Sequence, residues 1–143
     1  MKPIFFTLFA LSLGAASGAA IANETVVEVP PKLAKLERAS YHRCLDKARG
    51  RLEQAPCIQR EKAWQLKQLD LLYQRLAALP NDEQRQALEK SQAAWKAFMD
   101  AETGFAASVY YPQSGSSDFS VSTHEIMWIV QRRQQLQQHL DSN

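Results

Sequence analysis

The sequence predicts an all-α fold, a small four-helix up-down bundle with one longer loop before the last helix. Three observations predict it. Four segments repeat apolar residues at spacings of three and four, which puts them on one face of a helix. No segment alternates apolar and polar residues with the period of two that a half-buried strand requires. Gly50, Pro80 and Asn81 fall at the edges of the periodic segments.

The chain opens with a different kind of segment. Met1 and Lys2 precede an uncharged apolar stretch, which ends in small residues at Ala20-Ile21-Ala22. A positive start, an apolar run and a small-x-small ending describe a secretory signal peptide over residues 1–22, with Asn23 starting the mature chain. The alternative is a membrane anchor. Its strongly apolar part, Ile4 to Leu13, is short for a bilayer span of ~20 residues. No later apolar run is long enough to span a membrane after signal cleavage.

Residues 23–31, NETVVEVPP, carry no helical period and read as an extended leader. Helix A is predicted from about Lys32 to Ala48, with Leu33, Leu36, Ser40, Cys44 and Ala48 on one stripe. Gly50 suits its C-terminus, and Pro56 suits the first turn of the next helix. Helix B follows to Leu79, with Leu66, Leu69, Leu72, Tyr73, Leu76 and Leu79 on its stripe. Pro80 stops it. Asn81 with Gln84 resembles a capping box and starts helix C at Asp82. Helix C runs to about Ser108, with Leu88, Ser91, Gln92, Trp95, Phe98, Met99, Glu102 and Phe105 facing inward. Residues 109–121 hold proline, glycine and several serines, so they read as a loop. Ser122 or Thr123 caps helix D, whose stripe is Ile126, Ile129, Val130, Arg133, Leu136, Gln137 and Leu140. The helical domain thus covers residues 32–141.

Composition narrows the function. About 121 residues remain after cleavage, enough for one domain with one core. Losing Lys2 lowers the formal charge from +2 to +1, and the basic residues are spread along the chain. That is no footprint for nucleic acid. Export favours a disulfide between the two cysteines, Cys44 and Cys57, on antiparallel helices either side of the bend. A link of this loop size contributes roughly 3 kcal/mol in the chain-entropy model. A pair of buried thiols is the alternative. A zinc site with His42 is weaker, because residues two apart on a helix point in different directions.

Chemistry is sparse. The chain has no Gly-rich phosphate loop, no HExxH, no G-x-S-x-G and no CxxC. His42, His124 and His139 are scattered, and Asp100 and Glu102 do not share a helix face. The reading is of a protein that is not an enzyme, with no catalytic residues, no metal and no cofactor.

Gln92 and Trp95 share a face with Leu88 and Met99, so their simplest role is core. The same stretch also carries a resemblance. SYHRCLDKA (40–48), QLDLLYQRL (68–76) and LEKSQAAWKAFMDAE (88–102) together resemble the lysozyme inhibitor LprI family of small secreted bacterial proteins. The corresponding residues are Asp70, Tyr73, Leu88, Gln92, Trp95 and Asp100, and the likeness runs from about Tyr41 to Leu136. The chain departs from the family pattern at a second cysteine pair. Thr103 stands near one of those positions, and Thr123 and His124 stand around the other. Leu72 replaces an asparagine and Met99 an arginine.

The resemblance implies a periplasmic or secreted binding protein that blocks a cell-wall hydrolase without chemistry of its own. The alternatives are an immunity or adaptor protein that neutralises a secreted toxin, and a structural envelope protein. The partner in the first two cases is a protein. The candidate surface is the loop 109–121 with the start of helix D: Tyr110, Tyr111, Asp118, Phe119 and Trp128. Tyrosines offer large contact area at little entropic cost. Trp128 lies off the helix D stripe, and Arg132 one turn later is placed to stack on it. The competing role for the loop aromatics is to cover the end of the bundle.

Overall fold

The computed structural model describes residues 35–79, 81–110 and 117–142. The predicted signal segment, the leader and the first residues of predicted helix A lie outside them. Four helices follow in order: α1 (Ala39–Lys47), α2 (Arg51–Ala77), α3 (Asp82–Tyr110) and α4 (Ser117–Asp141). The described residues contain no strand, and the fold is all-α. None of their helices is long and apolar enough to cross a membrane.

The last helix is the hub. Ile126, Ile129, Val130 and Leu136 of α4 are essentially inaccessible to solvent. Ile126 and Val130 pack with Tyr41 of α1 and with Cys57 and Ile58 of α2. Ile129 and Leu136 pack with Leu69, Leu72 and Leu76 of α2, and Leu88, Trp95 and Met99 of α3 close over that second cluster. A helix that meets neighbours on two sides must be apolar over a wide arc, which explains the dense Ile-Met-Trp-Ile-Val run at 126–130.

Several boundaries differ from the sequence reading, each for a local reason. Helix A begins at Ala39 rather than Lys32, after a turn over residues 35–37, and its buried residue is Tyr41. Helix B begins at Arg51, five residues before Pro56. Gly50 does not end the first helix; Ala48 does, and Gly50 is the N-cap of the second, with φ 146° and ψ 179°. Only glycine occupies that backbone region readily. The Glu53 carboxylate accepts the Arg49 amide at 2.9 Å across this corner. Pro56 removes one backbone donor near the start of a long helix, a loss the remaining turns tolerate.

Asn81 caps α3 as expected, its Oδ1 accepting the Gln84 amide at 3.0 Å. The predicted loop 109–121 is helical at both ends, and residues 111–116 lie outside the described residues. The third helix continues through Tyr110, and the fourth starts at Ser117. Thr123 is therefore interior to α4. Its hydroxyl donates to the Phe119 carbonyl at 2.9 Å and contacts the Ser120 carbonyl at 3.1 Å. The Ser-Ser-Asp sequence that reads as loop is also good first-turn composition, because serine and aspartate satisfy free helix N–H groups.

Candidate functional site

The two adjacent arginines of α4 divide the molecule. Arg133 points to the α2 side. Its guanidinium hydrogen-bonds Gln65 and lies 5.1 Å from the Trp64 ring centroid, with Arg38 at the same distance over that ring. Gln65 and Glu61 are both fully buried there. Glu61 accepts the Arg38 Nε at 2.8 Å, the Arg38 amide at 3.2 Å and the Gln65 amide group at 2.6 Å. Gln65 also donates to the Leu36 carbonyl at 3.0 Å. This network ties the segment before α1 to α2 and α4.

Burial pushes the nearby Glu37 carboxyl above its ordinary pKa, with Glu61 adding to the rise and His42, 3.2 Å away, opposing it. Burial, then Glu37 and Glu61, push the Tyr41 phenol upward too. Cys44 and Cys57 are joined by a disulfide with a Cα–Cα distance of 5.8 Å, linking α1 to α2. This side is a scaffold: paired charges, an apolar cluster and a covalent link.

Arg132 points to the α3 side. Its Nε donates to Gln92 Oε1 at 3.1 Å and its Nη2 to Ser91 Oγ at 2.9 Å. It does not stack on Trp128, as the spacing suggested; the cation–ring contacts of the described residues gather on Trp64. Trp128 instead meets Phe98 edge-on, with ring centroids 5.8 Å apart, and the His124 ring at 5.8 Å.

Four of the six family-signature residues meet on this side. Asp70, Tyr73, Gln92 and Trp95 line one groove between α2 and α3; Gln92 is buried and bonded to Arg132, and Trp95 is half-buried rather than fully enclosed. Leu88 packs against the second apolar cluster. Asp70 is held by Gln74 Nε2 at 2.7 Å, and Asp100 is exposed. Thr103 hydrogen-bonds Glu125 across the α3–α4 contact at 3.4 Å, and Glu125 also pairs with Lys62 of α2. A polar tie thus stands in the region where the family resemblance places a second cysteine pair.

The outer face of α3 departs most from the sequence reading. Phe98 and Phe105 were placed on the inward stripe, yet they are 45% and 65% exposed. Helix α3 packs mainly along α4, so only the side carrying Leu88, Gln92, Trp95, Met99 and Ala106 is covered. Phe98, Phe105 and Val109 recur at seven and four residues, with exposed Ala101 between the phenylalanines and exposed Ala94 one turn before them. They form one uncovered apolar face that leads to the end of the helix, with Trp128 at its margin. Leu66 of the helix B stripe is exposed as well.

Of the candidate partner residues, Phe119 packs partly buried against the first apolar cluster, and Trp128 is half-buried beside Phe98. Tyr111 and the side chains of Tyr110 and Asp118 lie outside the described residues. Sequence reasoning missed three features: the outward turn of Phe98 and Phe105, the buried Glu61–Gln65 pair, and the inward course of Arg132. The seven-residue interval from Phe98 to Phe105 was the available signal for the first.

The described residues bring no three His, Cys, Asp or Glu side chains together as metal ligands. What the fold presents is a disulfide-linked helical domain with an exposed apolar face. Residues 44–139 match the family described as lysozyme inhibitor LprI, and the chain belongs to that family. Its members are by description inhibitors rather than enzymes. No curated protein and no solved structure matches the chain.

Proposed function

We propose that this protein is an exported, non-catalytic inhibitor of a lysozyme-class cell-wall hydrolase. It meets the enzyme through the uncovered face of α3, around Phe98, Phe105 and Val109. The observation that carries the reading is that face itself: large apolar side chains left exposed on a helix whose other side is packed. Such patches mark binding surfaces, and buried aromatic anchors supply most of the energy at protein interfaces. Family membership supports the class of target. The signal-like segment at residues 1–22 supports export.

The mechanism needs no chemistry. An inhibitor of this kind works by steric exclusion: the face docks at the rim of the substrate cleft and the polymer has no entry. The helix gives the aromatics fixed spacing, so little order is lost on binding. The test is the residual activity of a purified lysozyme on a cell-wall suspension as this protein is titrated in. Saturable loss of activity is the expected result. Full activity at a large molar excess, across representative lysozyme classes, overturns the reading.

A further inference from the structure

Arg132 poses a physical problem that its surroundings do not solve. It is only 7% exposed, and its hydrogen-bond partners are Gln92, Ser91 and, at 3.4 Å, Gln135, all neutral. No carboxylate among the described residues pairs with it, in contrast to Arg38, which bonds Glu61. Burial holds its guanidinium below the ordinary arginine range, and no nearby acid restores it. Buried charges in proteins are ordinarily paired, because a desolvated unpaired ion is costly.

Arg132 also lines a cleft of about 310 Å³ at one end of the bundle. The rest of the wall is apolar at Leu76 from α2, Leu79 just beyond its end, Ala87 and Leu88 from the start of α3 and Leu136 from α4, and polar at Gln84, Ser91 and His139. None of the lining residues is acidic. The volume lies at the lower end of small-molecule sites, roughly 300–1,000 Å³. A slot with five apolar wall residues and one buried cation that no described carboxylate pairs selects a ligand with an apolar tail and a single negative head. A planar guanidinium fork suits carboxylate or phosphate oxygens.

We propose that this cleft binds a single-chain anionic amphiphile, its head paired with Arg132 and its tail lying along the leucines of α2, α3 and α4. The ligand supplies the counter-charge the fold omits. The Gln92 and Ser91 contacts hold the guanidinium in place, so the site is formed before the ligand arrives. The cleft lies at the end of the bundle where α3 begins, away from Phe105 and Val109, and so it is separate from the proposed hydrolase-binding face. Failure of either leaves the other standing.

Calorimetric titration of the purified protein tests this with dodecanoate, dodecyl phosphate and the cationic dodecyltrimethylammonium, all below their micellar concentrations. Saturable one-to-one binding of at least one anion is expected, with none of the cation. A preference for dodecanoate assigns a carboxylate head, and a preference for dodecyl phosphate assigns a phosphate head. Arg132→Gln should weaken the preferred anion at least tenfold, about 1.4 kcal/mol. Ala87 is exposed on α3, so Ala87→Trp should fold normally and abolish binding by filling the slot. The proposal is overturned if neither anion binds the parent protein, if the cation binds as well, or if Ala87→Trp or a folded Arg132→Gln binds like the parent.

Discussion

Arg132 and Arg133 are neighbours in sequence on one helix, and they enter opposite halves of the molecule. Arg133 faces a half that contains buried carboxylates, a stacking tryptophan and the disulfide. Arg132 faces a half with neutral hydrogen-bond partners, an open cleft and an exposed aromatic face. The α1–α2 half sets Arg38 against the buried Glu61 and His42 against the buried Glu37. The α3 half leaves a charge uncompensated and apolar side chains uncovered. The difference separates the scaffold from the parts of the surface available to ligands.

That contrast is most exposed to test at Glu61. Glu61→Ala removes the acceptor for Arg38 and Gln65 in a fully buried position. Breaking such a pair typically costs about 3–5 kcal/mol. Denaturant unfolding should show a loss of that size, and a loss under about 1 kcal/mol would mean that the network is incidental. Cys57→Ser is expected to cost roughly 2–4 kcal/mol, since it releases a link between residues thirteen apart on two helices. Thermal unfolding with and without reductant checks it, because the variant should be insensitive to reductant.

The same substitution logic gives a small effect on the other side. Arg132→Met removes a desolvated charge along with its bonds to Gln92 and Ser91. The two terms oppose each other, so stability should change by less than about 1 kcal/mol. A loss as large as that of Glu61→Ala would make Arg132 part of the scaffold.

The smallest expected effect is a pH dependence. Glu37 has a folded-state pKa above its ordinary 4.5, set by burial and by Glu61 against the opposing His42. Folding therefore favours its neutral form. The stability it contributes is complete below pH 4.5 and is lost as pH rises through the raised value. Glu37→Gln should flatten the stability profile between pH 4.5 and the raised value, read from midpoints of urea unfolding between pH 4 and 7. An unaltered slope would contradict the assignment.

The fold was legible because apolar spacing on four segments reports helices directly, and Asn81 marks a true boundary. Other features depend on tertiary context. Gly50 suits a helix end or a helix start, and only the φ of 146° decides it. Ser117 and Asp118 suit a loop or a first helical turn equally. For α3, the aromatics at 98 and 105 lie close in angle to the inward stripe, and the sequence does not say how wide a neighbour will cover them. Glu61 escapes the periodic pattern and Arg132 reads as a surface partner of Trp128, because charged residues are normally exposed. The Gln92–Arg132 bond joins residues forty apart, beyond the reach of local pattern.

The central claim is that α3 carries the inhibitory face while the α1–α2 half only supports it. The measurement that tests it most directly is the inhibition titration repeated with Phe98→Ser/Phe105→Ser. Both side chains are substantially exposed, so the melting temperature should stay near that of the parent. The account predicts that this variant folds normally and inhibits the hydrolase at least tenfold more weakly than the parent, about 1.4 kcal/mol. A variant that folds normally and inhibits as strongly as the parent would contradict it.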